Sequence, residues 1–281
     1  MIPPVATAYP LGITVLAALH KEFIVKNRLK AVLAEGRLAI GAQMRFGSPV
    51  IAELFGYAGF DFIVIDGEHA AQSPPGVQAQ LQGIGCTNAT PIVRLVSNDP
   101  DQIRLHADLG AMGITIPFIN TAEQAAIGAR ACRYPPAGTR GVGASRGSKF
   151  GFDPTYVQQS NDNILYLPII ETAEAVKNID QILAVDGVDS FLVGPADLSV
   201  SLGVAYQFED PVFLDSLRAV VRAAEDAGKP AGIGMQGDVT RPQTFQSYVD
   251  MGFRLLLAGG DEPLLRQNCQ NTMAAFTAVR D

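Results

Sequence analysis

The stretch "FDFIVIDGEHA", residues 60 to 70, places five apolar or aromatic residues ahead of Asp66 and sets Glu68 and His69 just after it. A nearly unbroken apolar run of this length is typical of a strand buried on both faces, as in a parallel sheet covered by helices. The stretch therefore predicts a buried strand whose carboxyl end delivers ionisable groups to a shared opening.

The same alternation repeats from residue 38 onward: a short apolar run, turn residues, and then an amphipathic stretch of about ten or more residues. Eight such runs occur, namely residues 38–46, 60–66, 90–96, 113–119, 164–170, 190–194, 231–235 and 253–259. Eight strand–helix units in a chain of this length predict a (β/α)₈ TIM barrel. A doubly wound sheet is the structural alternative, but no GxGxxG follows the first run, so the dinucleotide-binding fingerprint is absent.

The sequence predicts an N-terminal extension with a helix, residues 1–36, followed by a catalytic barrel, residues 37–281. We interpret residues 11–35 as a helix that ends at Gly36 and covers the core, because apolar and charged residues alternate at roughly helical spacing. The apolar part of this segment, residues 11–19, is too short to span a bilayer, and no positively charged residue precedes it.

Composition narrows the possible partners and compartments. With 281 residues, 48% of them hydrophobic, the chain can bury a large core. The net charge of −7 is spread along the chain without a basic cluster, so neither nucleic acid nor a membrane is an expected partner. Cys86, Cys132 and Cys269 are widely separated, which predicts neither a disulfide framework nor a zinc site and fits a reducing cytoplasm.

Side chains suited to chemistry fall at one end of the predicted barrel, the carboxyl ends of the strands, where the active sites of such barrels lie. They are Asp66 and His69 after the second strand, Arg94 on the third, Glu171 after the fifth and Asp197 after the sixth. Each has a structural alternative: Asp197 could cap a helix, Glu171 could lie in a first helical turn, and Arg94 could pair with an acid. Their joint occurrence at one end favours an active site.

These residue types suggest a metal-assisted reaction. Glu171 and Asp197 can share one cation, because neighbouring strands lie about 4.8 Å apart. With no Cys or His at either strand end, a hard divalent ion such as Mg²⁺ or Mn²⁺ is favoured, and a 2-oxo acid can fill two of its open positions. Arg94 then faces the oxygen that becomes an enolate, His69 serves as general base, and Asp66 orients the imidazole.

Five motifs in this order, "IDGEHA", "PIVRL", "RYPPAGTRGVG", "IIET" and "VGPADLS", resemble the HpcH/HpaI aldolase/citrate lyase family over about residues 28 to 280. The resemblance implies a (β/α)₈ barrel that cleaves or forms 4-hydroxy-2-oxo acids, with pyruvate and an aldehyde as the other partners, through a metal-bound pyruvate enolate. It implies a divalent ion, Mg²⁺, Mn²⁺ or Co²⁺, as cofactor. It also implies a homo-oligomer, commonly a hexamer.

The resemblance assigns roles residue by residue. Glu171 and Asp197 correspond to the metal ligands, His69 and Asp66 to the catalytic His and its partner, and Arg94 to the enolate-binding arginine. The loop that holds the pyruvate carboxylate corresponds to Gly194, Pro195, Ala196 and Asp197.

The chain departs from the family pattern at Ile169, where many such aldolases have Gln, so a polar contact near the metal is missing. A second feature is the long segment 138–160, which is rich in glycine and basic residues. Long connections in compact domains are often functional loops. We expect Arg140, Arg146 or Lys149 to help bind an anionic acceptor aldehyde, with solvated loop charges as the alternative.

Other functions remain open from the sequence. A Schiff-base aldolase is disfavoured because the lysines fall in predicted helices and loops rather than in strands. A CoA-thioester lyase of the citrate lyase or malyl-CoA type uses the same metal and enolate chemistry. A non-catalytic barrel that acts as a binding protein is a further alternative, as is a phosphate-binding barrel using "AGGDEPLL", although Asp261 and Glu262 oppose an anion there.

Overall fold

The computed structural model describes residues 26–280, and in them eight parallel strands close into one barrel in sequence order. The strands are β1 (Ala39–Met44), β2 (Phe62–Asp66), β3 (Thr90–Arg94), β4 (Gly113–Ile116), β5 (Leu165–Ile170), β6 (Phe191–Val193), β7 (Ala231–Gly234) and β8 (Leu255–Gly260). Strand β1 pairs with both β2 and β8. The predicted (β/α)₈ barrel is therefore confirmed, and the doubly wound sheet is excluded.

Helices surround this barrel, and several begin at residues whose side chains accept a backbone N–H, as Ser48, Ser73 and Asp99 do. No helix in the described part of the chain is long and apolar enough to cross a membrane. The α-helices are α1 (Arg28–Ala34), α2 (Pro49–Tyr57), α3 (Pro74–Gly85), α4 (Pro100–Leu109), α5 (Ala122–Ala131), α6 (Tyr156–Asn163), α7 (Ala173–Lys177), α8 (Ile179–Leu183), α9 (Pro195–Ser201), α10 (Pro211–Asp226), α11 (Pro242–Met251) and α12 (Asp261–Arg280).

The described part of the predicted N-terminal helix is α1 (Arg28–Ala34). Helix α1 begins at Arg28, because the Asn27 side chain accepts a hydrogen bond from Lys30 N and caps it. The prediction of a helix over residues 11–35 is thus wrong for residues 26 and 27, while residues 11–25 lie outside the described part of the chain. Leu29 of α1 is fully buried in the apolar cluster that fills the barrel.

Alternate residues of each strand point into the barrel, which explains how polar groups reach its upper end. On β2 the buried interior positions are Phe62 and Val64, and on β3 the corresponding position is Ile92. Two residues further along, the inward positions are Asp66 and Arg94, which are register partners across the two strands. The apolar filling therefore ends in a layer of charged side chains.

Candidate active site

A cavity of about 470 Å³ opens at the carboxyl ends of the strands, a size typical of small-molecule sites. Its wall includes Arg94, His69, Glu171 and Asp197, so four of the five predicted catalytic and metal-binding residues face one space. The fifth, Asp66, is fully buried just beneath them.

Asp66 and Arg94 form a two-point ion pair under the cavity. Arg94 Nε lies 2.9 Å from Asp66 Oδ1, and Arg94 Nη2 lies 2.6 Å from Asp66 Oδ2. Burial acts to raise the pKa of Asp66, but the hydrogen bond and charge of Arg94, with two backbone N–H groups, hold that pKa below its usual value. The charged form of Asp66 is therefore favoured, and its carboxylate fixes the Arg94 guanidinium through two contacts.

The predicted contact between Asp66 and the His69 imidazole is not found. Asp66 Oδ1 accepts from the backbone N–H groups of Glu68 and His69, at 3.0 and 3.1 Å, and this turn directs the carboxylate toward Arg94. The carboxylate beside the ring is that of Glu68, whose Oε2 lies 3.7 Å from His69 Nε2 and 3.0 Å from Arg94 Nη1. The prediction that Asp66 orients the imidazole is wrong in this structure, because Arg94 occupies its carboxylate.

Glu68 is an incompletely satisfied acid. Its Oε2 is buried and makes no hydrogen bond of regular geometry among the described residues, although it is ion-paired with Arg94. Burial raises the pKa of Glu68, and nearby Asp66 and Asp197 raise it further, whereas Arg94 and His69 lower it. The motif thus contributes an acid that the sequence prediction left without a role.

Glu171 follows β5 and is 3% exposed. Its Oε1 accepts a hydrogen bond from Phe118 N at 2.7 Å. Burial raises the pKa of Glu171 to about 7, with Asp197 and Glu68 adding to the rise, although the Phe118 N–H and Arg94 act to lower it. Glu171 precedes the capping residue Thr172, so the alternative that it lies in a helical turn is excluded.

Gly194 makes room for Glu171. A Cβ atom placed on Gly194 would lie 2.5 Å from Glu171 Oε2 and 3.0 Å from its Cβ. Helix α9 follows directly, with Pro195 in its first turn and Asp197 one residue after Ala196. The "GPAD" sequence thus brings a second carboxylate into the cavity beside the first. Because the helix cap is Gly194, which has no side chain, Asp197 is a first-turn acid rather than the cap.

The donor set of this cavity fits a hard divalent cation. No cluster of three or more His, Cys, Asp or Glu side chains forms a complete metal cage within residues 26–280. Glu171 and Asp197 share the cavity wall. Burial is the main cause of the raised pKa of Glu171, the charge of Asp197 adds to it, and a bound cation would offset both. Oxygen donors suit Mg²⁺ and Mn²⁺, and two of them leave positions open for a substrate.

The other half of the cavity, from β7, β8 and β1, was not predicted. Gln43 Nε2 donates to Asp66 Oδ2 at 2.8 Å, and Arg45 Nε lies 3.2 Å from the same oxygen. Both residues occupy inward positions that continue the alternation of Gly41 on β1. The signal was present in "GAQMRF", since a period of two on β1 places positions 41, 43 and 45 on one face.

Asp261, at the start of helix α12, is 5% exposed and holds the end of β1 in place. Its carboxylate accepts from the backbone N–H groups of Arg45 and Phe46, at 2.9 to 3.0 Å. Glu262 and Arg266 follow on the cavity rim. The "AGGDEP" segment therefore anchors β1. Asp261 also accepts from Glu262 N at 2.8 Å at the start of helix α12, and its negative charge opposes a phosphate there.

The basic residues expected to bind an acceptor lie elsewhere. Arg140 is 3% exposed; its Nη2 lies 2.6 Å from Asp108 Oδ1, and its guanidinium lies over the Tyr134 ring. Its assignment as an acceptor ligand is contradicted, because its charge is buried and neutralised in the helical layer.

Arg146 and Lys149 line a different cavity, whose wall includes residues at the amino ends of β3, β4 and β5. Arg146 donates to the backbone oxygens of Leu109 and Leu81. Since the catalytic residues lie at the carboxyl ends, these two side chains face away from the cavity of their own chain. Their assignment as acceptor ligands in that cavity is therefore contradicted as well.

Two smaller expectations concern positions near the metal pair and the lysines. Ile169 lines the cavity, so its wall is apolar at that position. In the described residues every lysine lies in a helix or a loop, and none lines the cavity, which disfavours a Schiff-base mechanism.

Comparison with known proteins gives consistent results. The sequence profile of the HpcH/HpaI aldolase/citrate lyase family matches residues 45–257. The chain is 40% identical to a 4-hydroxy-2-oxo-heptane-1,7-dioate aldolase of Klebsiella pneumoniae, over 90% of this chain and 95% of that protein. It is similar in structure to an HpcH/HpaI family protein of Burkholderia cenocepacia, with a TM-score of 0.84 and 31% identity over 91% of this chain and all of the other. An HpcH/HpaI aldolase of Desulfitobacterium hafniense gives a TM-score of 0.82 and 31% identity over 88% and 96% of the two chains.

Proposed function

This chain belongs to the HpcH/HpaI aldolase/citrate lyase family, and we propose that it is a divalent-metal-dependent aldolase that interconverts 4-hydroxy-2-oxo acids with pyruvate and an aldehyde. It is an enzyme, a carbon–carbon lyase of the aldolase type. A non-catalytic binding barrel is therefore not retained. The observation that carries the proposal is the convergence of Glu171, Asp197 and Arg94 on one cavity at the carboxyl ends of the strands.

In this proposal Glu171 and Asp197 hold the ion, which is Mg²⁺, Mn²⁺ or Co²⁺. When bound, it supplies positive charge that stabilises the negative charge developing on the substrate oxygen. The amide groups of Ala196 and Asp197, in the first turn of α9, have no partner within the helix and bind the carboxylate of the 2-oxo acid, with Gly194 and Pro195 shaping the loop.

Arg94 donates hydrogen bonds to the C2 oxygen, where charge accumulates during cleavage. Its orientation is set by Asp66, which holds two of its nitrogens. His69 takes the proton from the C4 hydroxyl, the C3–C4 bond breaks, and the aldehyde leaves. The electron pair of that bond forms the enolate of pyruvate, which takes up a proton at C3 to give the product. The His69 side chain is 55% exposed, which supports exchange of its proton with solvent.

The proposal is tested by measuring pyruvate release from a panel of 4-hydroxy-2-oxo acids in excess chelator and after adding back each metal. We expect no release in chelator and recovery with Mg²⁺, Mn²⁺ or Co²⁺. Glu171→Gln is expected to abolish recovery, whereas Glu174→Gln, an exposed position in the next helix, serves as the matched control. Full activity in chelator would show the metal proposal to be wrong.

CoA thioesters belong in the same panel, because a citrate lyase or malyl-CoA type of lyase uses the same enolate chemistry. Turnover of malyl-CoA together with inertness toward every 4-hydroxy-2-oxo acid would replace the aldolase proposal with that alternative. Turnover of the 4-hydroxy-2-oxo acids alone is the expected result.

We also propose that the protein is a cytoplasmic homo-oligomer, with the hexamer as the candidate state. The exposed side chains of helix α12 include several apolar ones, which supports association between copies; they are Leu265, Met273, Phe276 and Val279. The three cysteines are free, which supports a reducing compartment. Light scattering coupled to gel filtration measures the oligomeric state directly, and a monomeric mass would contradict this part.

A further inference from the structure

The half of the cavity formed by β7, β8 and β1 has no role in the proposed chemistry, yet it carries charge. Glycines line its wall at 234, 237, 259 and 260, which leaves room for a substrate chain. Its charged groups are Arg45, Asp261, Glu262 and Arg266, and the Asp261 carboxylate is already bound by the backbone N–H groups of Arg45 and Phe46. The substituent on C4 of the substrate becomes part of the aldehyde product. This half of the cavity has room for that substituent beyond the reacting carbons.

The position of Arg45 above the buried Asp66 is fixed by two contacts. Its backbone N–H donates to the carboxylate of Asp261, and its Nε lies 3.2 Å from Asp66 Oδ2. Its side chain is nevertheless 37% exposed, so the outer part of the guanidinium faces the cavity. Its Nη2 makes no hydrogen bond or ion pair with any residue in the described range.

Glu262, the counter-ion of the outer part of the Arg45 guanidinium, is loosely bound to it. Arg45 Nη1 lies 3.4 Å from Glu262 Oε2, which is long for a charge-assisted hydrogen bond. The other oxygen of Glu262 lies 3.2 Å from Arg266 Nε, so this acid is shared between two arginines. With Glu262 partly exposed and already paired with Arg266, an incoming carboxylate can replace it on Arg45 without leaving Glu262 unpaired.

The other arginines of the cavity are less suited to a second anion. The Arg94 side chain is 13% exposed, and its nitrogens already contact Asp66 and Glu68. The Arg266 side chain is 65% exposed on the rim, where solvent screens its charge. Arg45 combines fixed placement, a partly desolvated setting and a nitrogen with no partner, which are the requirements for two-point recognition of a carboxylate.

We infer that Arg45 is a specificity-determining residue that selects acceptor aldehydes bearing a carboxylate, with Glu262 as the counter-ion that this carboxylate displaces. The inference rests on the proposed aldolase function. Arg45 thereby takes the role expected of Arg140, Arg146 or Lys149, because it lines this cavity and they do not.

The test compares two acceptors in the aldol addition with pyruvate: 4-oxobutanoate and its uncharged analogue 4-oxobutanamide. In Arg45→Gln, kcat/KM for 4-oxobutanoate is expected to fall about tenfold or more relative to that for the amide, mainly through KM. Glu262→Gln is expected to raise the preference for the anion, because the competitor is removed. Arg218→Gln, at an exposed arginine of helix α10 that pairs with Asp215 and lies outside the cavity, is the control and should leave the preference unchanged.

The result that overturns the inference is an equal loss for the two acceptors, since Arg45 then acts only by positioning Asp66. No change for either acceptor also overturns it. Arg45→Lys provides a second variant should the glutamine protein fail to fold, and it should retain part of the preference for the anion because the charge remains.

A separate measurement keeps this inference distinct from the proposed function. Exchange of the methyl hydrogens of pyruvate for deuterium needs the metal and the enolate but no acceptor. A wild-type protein that shows no exchange would overturn the proposed function and this inference together. If the wild type shows exchange but Arg45→Gln lowers kcat/KM equally for the two acceptors, the inference is overturned and the proposed function is retained.

Discussion

Glu171→Gln is expected to stabilise the metal-free protein at alkaline pH while it abolishes catalysis. The wild-type carboxyl has a usual pKa of 4.5 and a pKa of about 7 in the folded state, chiefly because it is buried beside Asp197 and Glu68. Each pH unit corresponds to about 1.36 kcal/mol, so this change from 4.5 to about 7 amounts to about 3 kcal/mol. Glutamine keeps an oxygen for the Phe118 N–H and carries no charge.

The sign of the effect follows from proton binding. Between pH 4.5 and about 7 the folded chain retains a proton on Glu171 that the unfolded chain has lost, so the free energy of unfolding falls as pH rises. Above pH about 7 Glu171 is charged in the folded chain as well, and the free energy of unfolding has lost its full contribution from this group. We therefore expect Glu171→Gln to be more stable than wild type by about 3 kcal/mol at pH 8 and by less than about 1 kcal/mol at pH 5.

Urea unfolding followed by far-UV circular dichroism measures this difference, because the chain has no tryptophan. Both proteins are compared in chelator at one protein concentration, since association shifts apparent stability. Glu174→Gln is the control, and its stability should differ little from wild type at either pH. A gap between Glu171→Gln and wild type that is no larger at pH 8 than at pH 5 would refute the reasoning.

Three further outcomes are expected. Gly194→Ala should weaken metal binding at least about tenfold by calorimetry, because the new Cβ displaces the Glu171 carboxylate, while the backbone φ of −92° at this position suits alanine and keeps the fold. His69→Ala should slow aldol cleavage by about 10²-fold and spare oxaloacetate decarboxylation, which needs no base for a hydroxyl proton; equal losses would remove His69 as the base. Arg140→Ala should lower the free energy of unfolding by about 3 kcal/mol by leaving Asp108 unpaired, with kcat/KM of the folded fraction little changed; a selective rise in KM for anionic acceptors would return it to the site.

The fold was readable from the sequence because strands buried on both faces leave runs that few other elements produce. All eight predicted runs contain a strand, and the errors lie at the ends. The fourth run was predicted to extend to residue 119, yet β4 ends at Ile116. Pro117 follows, and Phe118 has a φ of 54°, so the chain leaves the extended conformation there despite its apolar side chains.

The site was readable only in part. A strand end can be predicted from hydrophobicity, so the positions of Asp66, Arg94 and Glu171 at one end of the barrel followed. The partner of Asp66 could not be predicted from the sequence. The backbone N–H groups of Glu68 and His69 hold its carboxylate away from the His69 ring, and their directions depend on the local backbone conformation. Packing also decides which end of the barrel a long loop covers. The sequence does not show this packing, so the predicted position of Arg140 in the catalytic cavity is wrong.

Arg45 lies on the first strand, which carries none of the ordered motifs that resemble the family. Those motifs therefore give no indication of its role. The period of two on β1 does, because it places Gln43 and Arg45 on the inner face of the strand, toward the cavity at the carboxyl ends.

The bond between Asp261 and the end of β1 also has a consequence for biosynthesis. The two partners are 216 residues apart in the chain, so at ordinary elongation rates of about 5–20 residues per second β1 waits roughly 10 to 40 s for the segment that secures it. Throughout that interval β1 lacks its neighbour β8 and presents an open edge to other nascent chains. Chaperone demand during translation should therefore concentrate on the first strand rather than on the last.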